Sequence, residues 1–392
     1  MACATLMQES TGFEKFGVNL YQNVASFNRA DEKIFISPAS IAFGISMCAV
    51  GARNNTLNQI LYSFGAAKSI DELNQTVEEV MQIIKSADED NTVKLKLANQ
   101  LYIQQDYQLL DEYLSCLKQF YSADIKLTDF DRNKATAVRE INDWVAQVTN
   151  NLIKDVLNVD DVDRHERLVL INCIYFKGTW VNKFNKEYTM QNSTFTSDNG
   201  IISKIPLMYQ KRRYAYSDDS TLQAQIAHIP YNSKRNSNHQ FVFTVILPKR
   251  GVKLINIEKK LLDGQLLKQA LSNKSQHELN FYLPKFKMEC RLDLNTVLMN
   301  LGITDAFNRQ HADFSGIEPT KELYISQVVH KAFIDVNETG SEAAAATSIS
   351  MRKKAKRLSN RPEPIEFRCD HPFLFMIREM NRDLTLFMGR YV

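Results

Sequence analysis

An α+β fold is what this sequence predicts, on three observations. Helical periodicity runs through the first half, short β-rich runs fill the second, and no internal repeat or Gly/Ser-rich linker parts them. With 44% apolar and 24% charged residues over 392 positions the composition is globular, and 13 Gly with nine Pro are too few for a fibrous or linker-dominated chain. At ~150 residues per domain the length allows about two to three domains, or one large one.

Residues 13–28 and 40–63 place apolar side chains at helical spacing, and Ser37-Pro38 is a suitable start for the second of these helices. Asp71 opens a third. Residues 95–103 (LKLANQLYI) predict a strand, and 138–157, containing Trp144, an amphipathic helix. Beyond them 168–176, 240–247, 279–283, 333–336, 373–377 and 384–388 predict strands of a largely antiparallel sheet, several bounded by Pro, Gly or Asn.

Forty-eight basic against 45 acidic side chains leave a net charge of +3, so nothing attracts the whole molecule to nucleic acid or anionic membrane, and any electrostatic function is local. Residues 1–16 lack the pattern of a secretory signal, and the most apolar stretches, 41–52 and 168–176, fall short of the ~18 residues needed to span a bilayer. The expectation is a soluble chain with no membrane partner, cytoplasmic or released by a non-classical route. Six dispersed cysteines without a C-x-x-C pair signal neither a disulfide framework nor a zinc site. Glycosylation sequons stand at Asn54, Asn74, Asn192, Asn273 and Asn337; a glycan on the last would hinder burial of the tract that follows it.

That tract, residues 340–367, is the compositional oddity. Taken in alternate steps, Ser341, Ala343, Ala345, Thr347, Ile349 and Met351 are small and then apolar, while Glu342, Ala344, Ala346, Ser348, Ser350 and Arg352 are small and polar. Period-two alternation is a strand pattern, yet alanine favours helices, so local preference and pattern conflict. Such conflict is expected of a segment that serves two states; the alternative is an Ala-rich surface helix. Next come Arg352, Lys353, Lys354, Lys356 and Arg357, then the stiff Arg361-Pro362-Glu363-Pro364. Charges this dense stay solvated, which predicts an exposed loop tip: a site for proteolytic nicking by a Lys/Arg-specific protease, a polyanion patch, a localisation signal, or a plain solvated loop.

Several separate stretches then point one way. Phe35-Ile-Ser37-Pro38-Ala-Ser40-Ile41, Leu97-Ala98-Asn99, Ile141-Asn142-Asp143-Trp144-Val145, Leu170-Ile171-Asn172 with Phe176-Lys177-Gly178-Thr179-Trp180, Pro230-Tyr231, Leu283-Pro284-Lys285-Phe286, His330-Lys331-Ala332, Asp370-His371-Pro372-Phe373 and Phe387-Met388-Gly389-Arg390 follow in order across most of the chain. Together they resemble the serpins, the serine protease inhibitor superfamily, and among them the intracellular, ovalbumin-like type without a cleavable signal peptide. The resemblance implies one domain over residues 1–392 with three β-sheets, about nine helices and an exposed reactive-centre loop at about 338–366. It also implies a suicide mechanism: a trypsin-like protease cleaves the loop, and the cut loop inserts into the main sheet before the acyl-enzyme can hydrolyse. Such insertion adds a strand to an existing sheet and releases strain stored in the uncut chain.

By position, the resemblance makes Glu338, Thr339, Gly340, Ser341, Glu342, Ala343, Ala344, Ala345, Ala346 and Thr347 the hinge. Ser37, Ser40, Asn172 and His330 become a polar cluster at the sheet opening, and Trp180, Lys285 and Glu338 the place where the loop first enters. The family's interval of seventeen residues from Glu338 selects Lys354-Ala355 as the scissile bond, with Arg357-Leu358 the rival. Two positions depart from the pattern: Thr339 stands where inhibitory members commonly carry Glu or Gly, and Tyr391-Val392 lacks the usual closing proline. Gly340 and the small run are intact. No G-x-S-x-G occurs and the seven histidines show no metal-ligand spacing, so neither an enzyme nor a cofactor is expected. The expected partner is a trypsin-like serine protease, with a polyanion at the basic loop as the alternative, and the expected state is a monomer.

Overall fold

Helices gather around the first half of the chain. The computed structural model describes residues 3–65, 67, 69–89, 92–163, 165–233, 238–261, 264–341 and 363–392. Among them are nine α-helices: α1 (Cys3–Phe27), α2 (Pro38–Gly51), α3 (Asn54–Ser63), α4 (Ile70–Glu89), α5 (Asp111–Cys116), α6 (Phe130–Val148), α7 (Leu254–Lys260), α8 (Gly264–Ser272) and α9 (Asn295–Asn300). The strands are β1 (Ile34–Ile36), β2 (Val93–Gln104), β3 (Ile125–Thr128), β4 (Leu168–Thr179), β5 (Met190–Thr196), β6 (Ile202–Asp219), β7 (Ala224–Pro230), β8 (Phe241–Pro248), β9 (Ser275–Pro284), β10 (Phe286–Asp293), β11 (Ile325–Val336), β12 (Gly340–Ser341), β13 (Ile365–Arg368), β14 (Phe373–Glu379) and β15 (Leu384–Tyr391).

One sheet has six strands in the order β10-β11-β12-β4-β2-β3; the other array has nine, β1-β15-β14-β8-β7-β6-β9-β13 with β5 on β6. The three expected sheets appear in this form because β6 serves two of them. Its residues 207–216 pair with β9 and its last five, Ala215–Asp219, with β7. The six-stranded sheet is covered on both faces, which is why β4 reads as a nearly continuous apolar run. Leu168 and Leu170 face the core around α2, Ile174 and Phe176 the other array, and Val169, Ile171, Cys173 and Tyr175 the helix α6. Helix α2 lies between β4 and β15 and buries thirteen of its fourteen residues, as a helix apolar all round must.

Two helix expectations need correction. The stretch 40–63 is two helices, because Ala52 is extended and the Arg53 N–H leaves the helix to donate to the Asp313 carbonyl. The stretch 138–157 belongs to a helix that begins at Phe130, capped by Asp129, and ends at Val148. Asn150 and Asn151 then take the left-handed conformation, and the Asn142 side chain accepts from the N–H groups of Val156 and Leu157 instead. Strand β6 and its neighbours β5 and β7 carry no clean alternation in sequence and were not expected; nor was β10, although Phe286, Met288, Cys290 and Leu292 alternate there with charged residues.

Candidate functional site

The central feature of the six-stranded sheet is the seam between β4 and β11. These two strands are parallel neighbours, paired from Ile325↔Leu168 to Phe333↔Tyr175. Only at the upper end does β12 part them, with Ser341 opposite both Val336 and Gly178 and Gly340 opposite Thr179. Glycine is required at 340 because a Cβ there would lie 1.9 Å from the Gly178 carbonyl oxygen.

The hinge residues Glu338 to Ser341 are gripped from every side. The Trp180 N–H donates to the Thr339 carbonyl (2.9 Å), the Phe184 N–H to that of Glu338 (2.8 Å), and the indole Nε1–H to that of Asn337 (2.9 Å). The buried Glu338 carboxylate takes Lys285 Nζ at 2.9 Å and the Thr189 hydroxyl at 3.0 Å. Burial alone would raise this carboxyl, but the hydrogen bonds from Lys285, its own backbone and Thr189 outweigh it and hold it below the usual range. The Ser341 hydroxyl meets the Tyr231 hydroxyl at 2.7 Å, and that ring stacks on Trp180 at 4.5 Å. Trp180, Lys285 and Glu338 therefore come together, joined by Tyr231, Thr189 and Phe184. Asn337 is half-buried; its side chain accepts from the Thr339 N–H and donates to Asp335, so this sequon belongs to the grip.

Lower in the seam, Ser37, Ser40, Asn172 and His330 also come together, all fully buried. The Ser37 N–H donates to His330 Nε2 (3.2 Å), which leaves the proton on Nδ1, and that proton goes to Asn172 Oδ1. Asn172 Nδ2 donates to the Ser40 carbonyl (2.7 Å) and to Asn99 Oδ1. The Ser37 hydroxyl donates to the Leu386 carbonyl (2.7 Å) and accepts from the Ser40 N–H (3.2 Å). Burial pushes the His330 imidazole down to about 3, so it is neutral above that. Asn99, His330 and Asn172 lie on a single rung, Asn99↔Asn172↔His330.

Asn99 was missed in sequence although a signal existed. On β2 the core-facing parity reads Val93, Leu95, Leu97, Asn99, Leu101, Ile103, with one polar residue. The same holds for Asn172 in β4, and His330 interrupts the apolar parity of β11 from Val328 to Val336. The remaining hinge residues Glu342, Ala343, Ala344, Ala345, Ala346 and Thr347, the basic residues Arg352, Lys353, Lys354, Lys356 and Arg357, and the bonds Lys354-Ala355 and Arg357-Leu358 lie outside the described residues. The cysteines at 48, 116, 173, 290 and 369 are free thiols. Among the described residues no helix is long and apolar enough to cross a membrane.

Comparison with known proteins gives the same family throughout. The family model described as Serpin (serine protease inhibitor) matches residues 11–392. Neuroserpin of Gallus gallus is 35% identical, over 96% of this chain and 89% of that protein. Leukocyte elastase inhibitor of Homo sapiens is 35% identical, over 98% of this chain and 99% of that protein. The crystal structure of uncleaved ovalbumin superimposes with a TM-score of 0.84 at 28% identity, covering 97% of this chain and 98% of that one.

Proposed function

The chain belongs to the serpin family, and from that premise we propose that it is a suicide-substrate inhibitor of Lys/Arg-specific serine endopeptidases, and not itself an enzyme. The supporting observation is register. Ser341 already pairs with Gly178 and Val336. Continuing that antiparallel register down the seam sets Ala343 and Ala345 opposite Phe176 and Ile174, Thr347 opposite both Asn172 and His330, and Met351 opposite Leu168, where β4 begins. Small residues meet large ones, the one hydroxyl below Ser341 on the core-facing parity meets the polar rung, and Gly340 to Met351 matches the twelve residues of β4. Arg352 onward then falls beyond the sheet; Lys354 lies nearer that end than Arg357 and leaves less cationic chain beyond it, which supports a cut at Lys354-Ala355 ahead of Arg357-Leu358.

Insertion breaks one parallel ladder and makes two antiparallel ones, so hydrogen bonds are gained at ~1 kcal/mol net apiece. Apolar members add ~25 cal/mol per Å² buried. The protease, its serine esterified by the Lys354 carbonyl as the Ala355 amine leaves, is carried along the sheet before water completes the hydrolysis. The human relative is named for elastase; the run of lysine and arginine points this chain to trypsin-like enzymes instead. We place its action as a monomer in the cytoplasm or after non-classical release.

Incubation with trypsin and plasmin yields SDS-resistant adducts on this reading, and the released C-terminal peptide begins at Ala355 by mass spectrometry. Turnover without adduct overturns it. Five cations within Arg352 to Arg357 favour a second reading, a non-inhibitory protein whose loop binds glycosaminoglycan or nucleic acid. In that case affinity falls steeply with salt while protease activity is untouched.

A further inference from the structure

Just below β4, at the lower end of the seam, stands a buried carboxylate that is short of a partner. Glu166 is only 7% exposed. Its Oε1 accepts from the Asp163 N–H at 3.2 Å, while Oε2 is buried with no hydrogen-bond partner among the described residues. Burial chiefly, with the charges of Asp163 and Asp293, pushes this carboxyl up against the hydrogen bonds of the Asp163 N–H and the Ser326 hydroxyl. Arg167, the next residue, is turned elsewhere: its guanidinium donates to the Glu166 carbonyl at 3.3 Å and lies 3.6 Å from Asp131. On β11, Gln327 donates to Asp293 at 3.1 Å, and its own Oε1 is buried and unpartnered. Buried acceptors without donors, set beside the carboxylates of Asp163 and Asp293, suit an ammonium group, which brings three donors and a positive charge.

We propose that Glu166 is a positioning residue that receives the Lys353 ammonium when the cut loop inserts, and so fixes the lower end of the new strand. The proposal rests on the inhibitory reading above. The Arg167 carbonyl accepts from the Gln104 N–H at 3.0 Å, which carries the β2–β4 register one residue past Leu168. Continuing the Ser341↔Gly178 register along the same path sets Lys353 opposite Glu166. Glu166 shares the parity of Leu168 and Leu170, which face the core around α2, and Lys353 shares that of Ser341, so the two side chains fall on one face. Lysine on the core-facing parity is costly without a counter-charge, and a lone buried carboxylate is costly for the same reason. Insertion removes both costs together, and a pairing made in only one of two states biases the equilibrium toward that state.

The test compares thermal midpoints of the intact chain and of the chain cut beyond Lys353 by limited trypsin, its new end checked by mass spectrometry, in enough urea to bring both into range. Parent, E166Q, K353Q and the double variant are measured. E166Q lowers the midpoint of the cut chain by at least ~2 °C and does not lower that of the intact chain, where it removes an unpaired buried charge. K353Q lowers the cut form alone by a similar amount, and the double variant loses no more than either single one. Equal lowering of both forms by E166Q, no lowering of the cut form, or losses that add in the double variant overturn the pairing and leave the inhibitory reading standing. If cutting the parent does not raise its midpoint, the inhibitory reading fails and the pairing fails with it.

Discussion

The upper and middle parts of the β4–β11 seam are held shut by different physics. At the top the strands are already parted by Gly340 and Ser341, and the grip is ionic and aromatic: Lys285 on Glu338, with the Trp180–Tyr231 stack alongside. In the middle they pair directly, and the grip is neutral: the fully buried His330 and Asn172, with the half-buried Asn99, on one rung. A partly exposed ion pair contributes little and is screened, whereas a buried hydrogen-bonded group left without its partner is expensive. The seam is therefore poised at its mouth and locked at its centre, and the contrast can be tested from both ends.

The sharpest break is Thr347→Arg. In the extended register this puts an unpaired cation against Asn172 and His330, and burying such a charge costs several kcal/mol. The expected outcome is at least ~100-fold loss of SDS-stable adduct with cleavage of the loop retained, since a barrier of ~2.7 kcal/mol is already a factor of 100. Unchanged adduct formation would mean that the register is not continued.

Asn172→Ala comes next, because it leaves the buried His330 Nδ1–H unpartnered and removes the donor to the half-buried Asn99 Oδ1. A loss of about 1–3 kcal/mol is expected, read as a lower urea midpoint for the uncleaved chain. Glu338→Gln is the smallest of the substitutions, at about 0.5–1 kcal/mol, because Lys285 is 44% exposed and water screens the pair. If the mouth variant proves costlier than the centre variant, the comparison is reversed.

Acidity separates the two regions as well. His330 is neutral when folded down to about 3 but titrates near its ordinary value when unfolded, so the unfolded chain binds the extra proton between these limits. Stability from this group is present above the unfolded value and is lost as the pH falls through the window toward 3. The Glu338 carboxyl is also held below its ordinary value, so its contribution is present above the unfolded carboxyl value and is lost only as the pH falls through the lower folded one. Lowering the pH from 7 to 5 therefore weakens the centre before the mouth. His228, buried on β7 beside Thr244 of β8 and likewise pushed down to about 3 by burial, contributes in the same direction from the other array. H330Q and H228Q compared across this range by urea denaturation divide the slope between them.

Much of this was legible in the chain because burial leaves a periodic mark. The strands at 95–103 and 168–176 were found since their buried faces require apolar residues, and lone polar residues on those faces, Asn99 and Asn172, mark the rung. Asn99 was overlooked because a single polar residue in a strand is informative only once its neighbour across the sheet is known. Helix boundaries at Gly51 and Val148 were also missed: the first is set by a distant partner, the Asp313 carbonyl, and the second by the left-handed backbone at Asn150 and Asn151.

Composition and pattern alone determined that residues 340–367 are at odds with themselves, alternating like a strand while rich in alanine, and that a cationic tip follows. Only the tertiary structure decided which strands that tract begins to separate, and where Thr347 would arrive if it continued. Alternation is a property of one segment and its two faces. Register is a property of three segments brought together from residues 168, 325 and 340 onward, and it exists only when their backbones share hydrogen bonds.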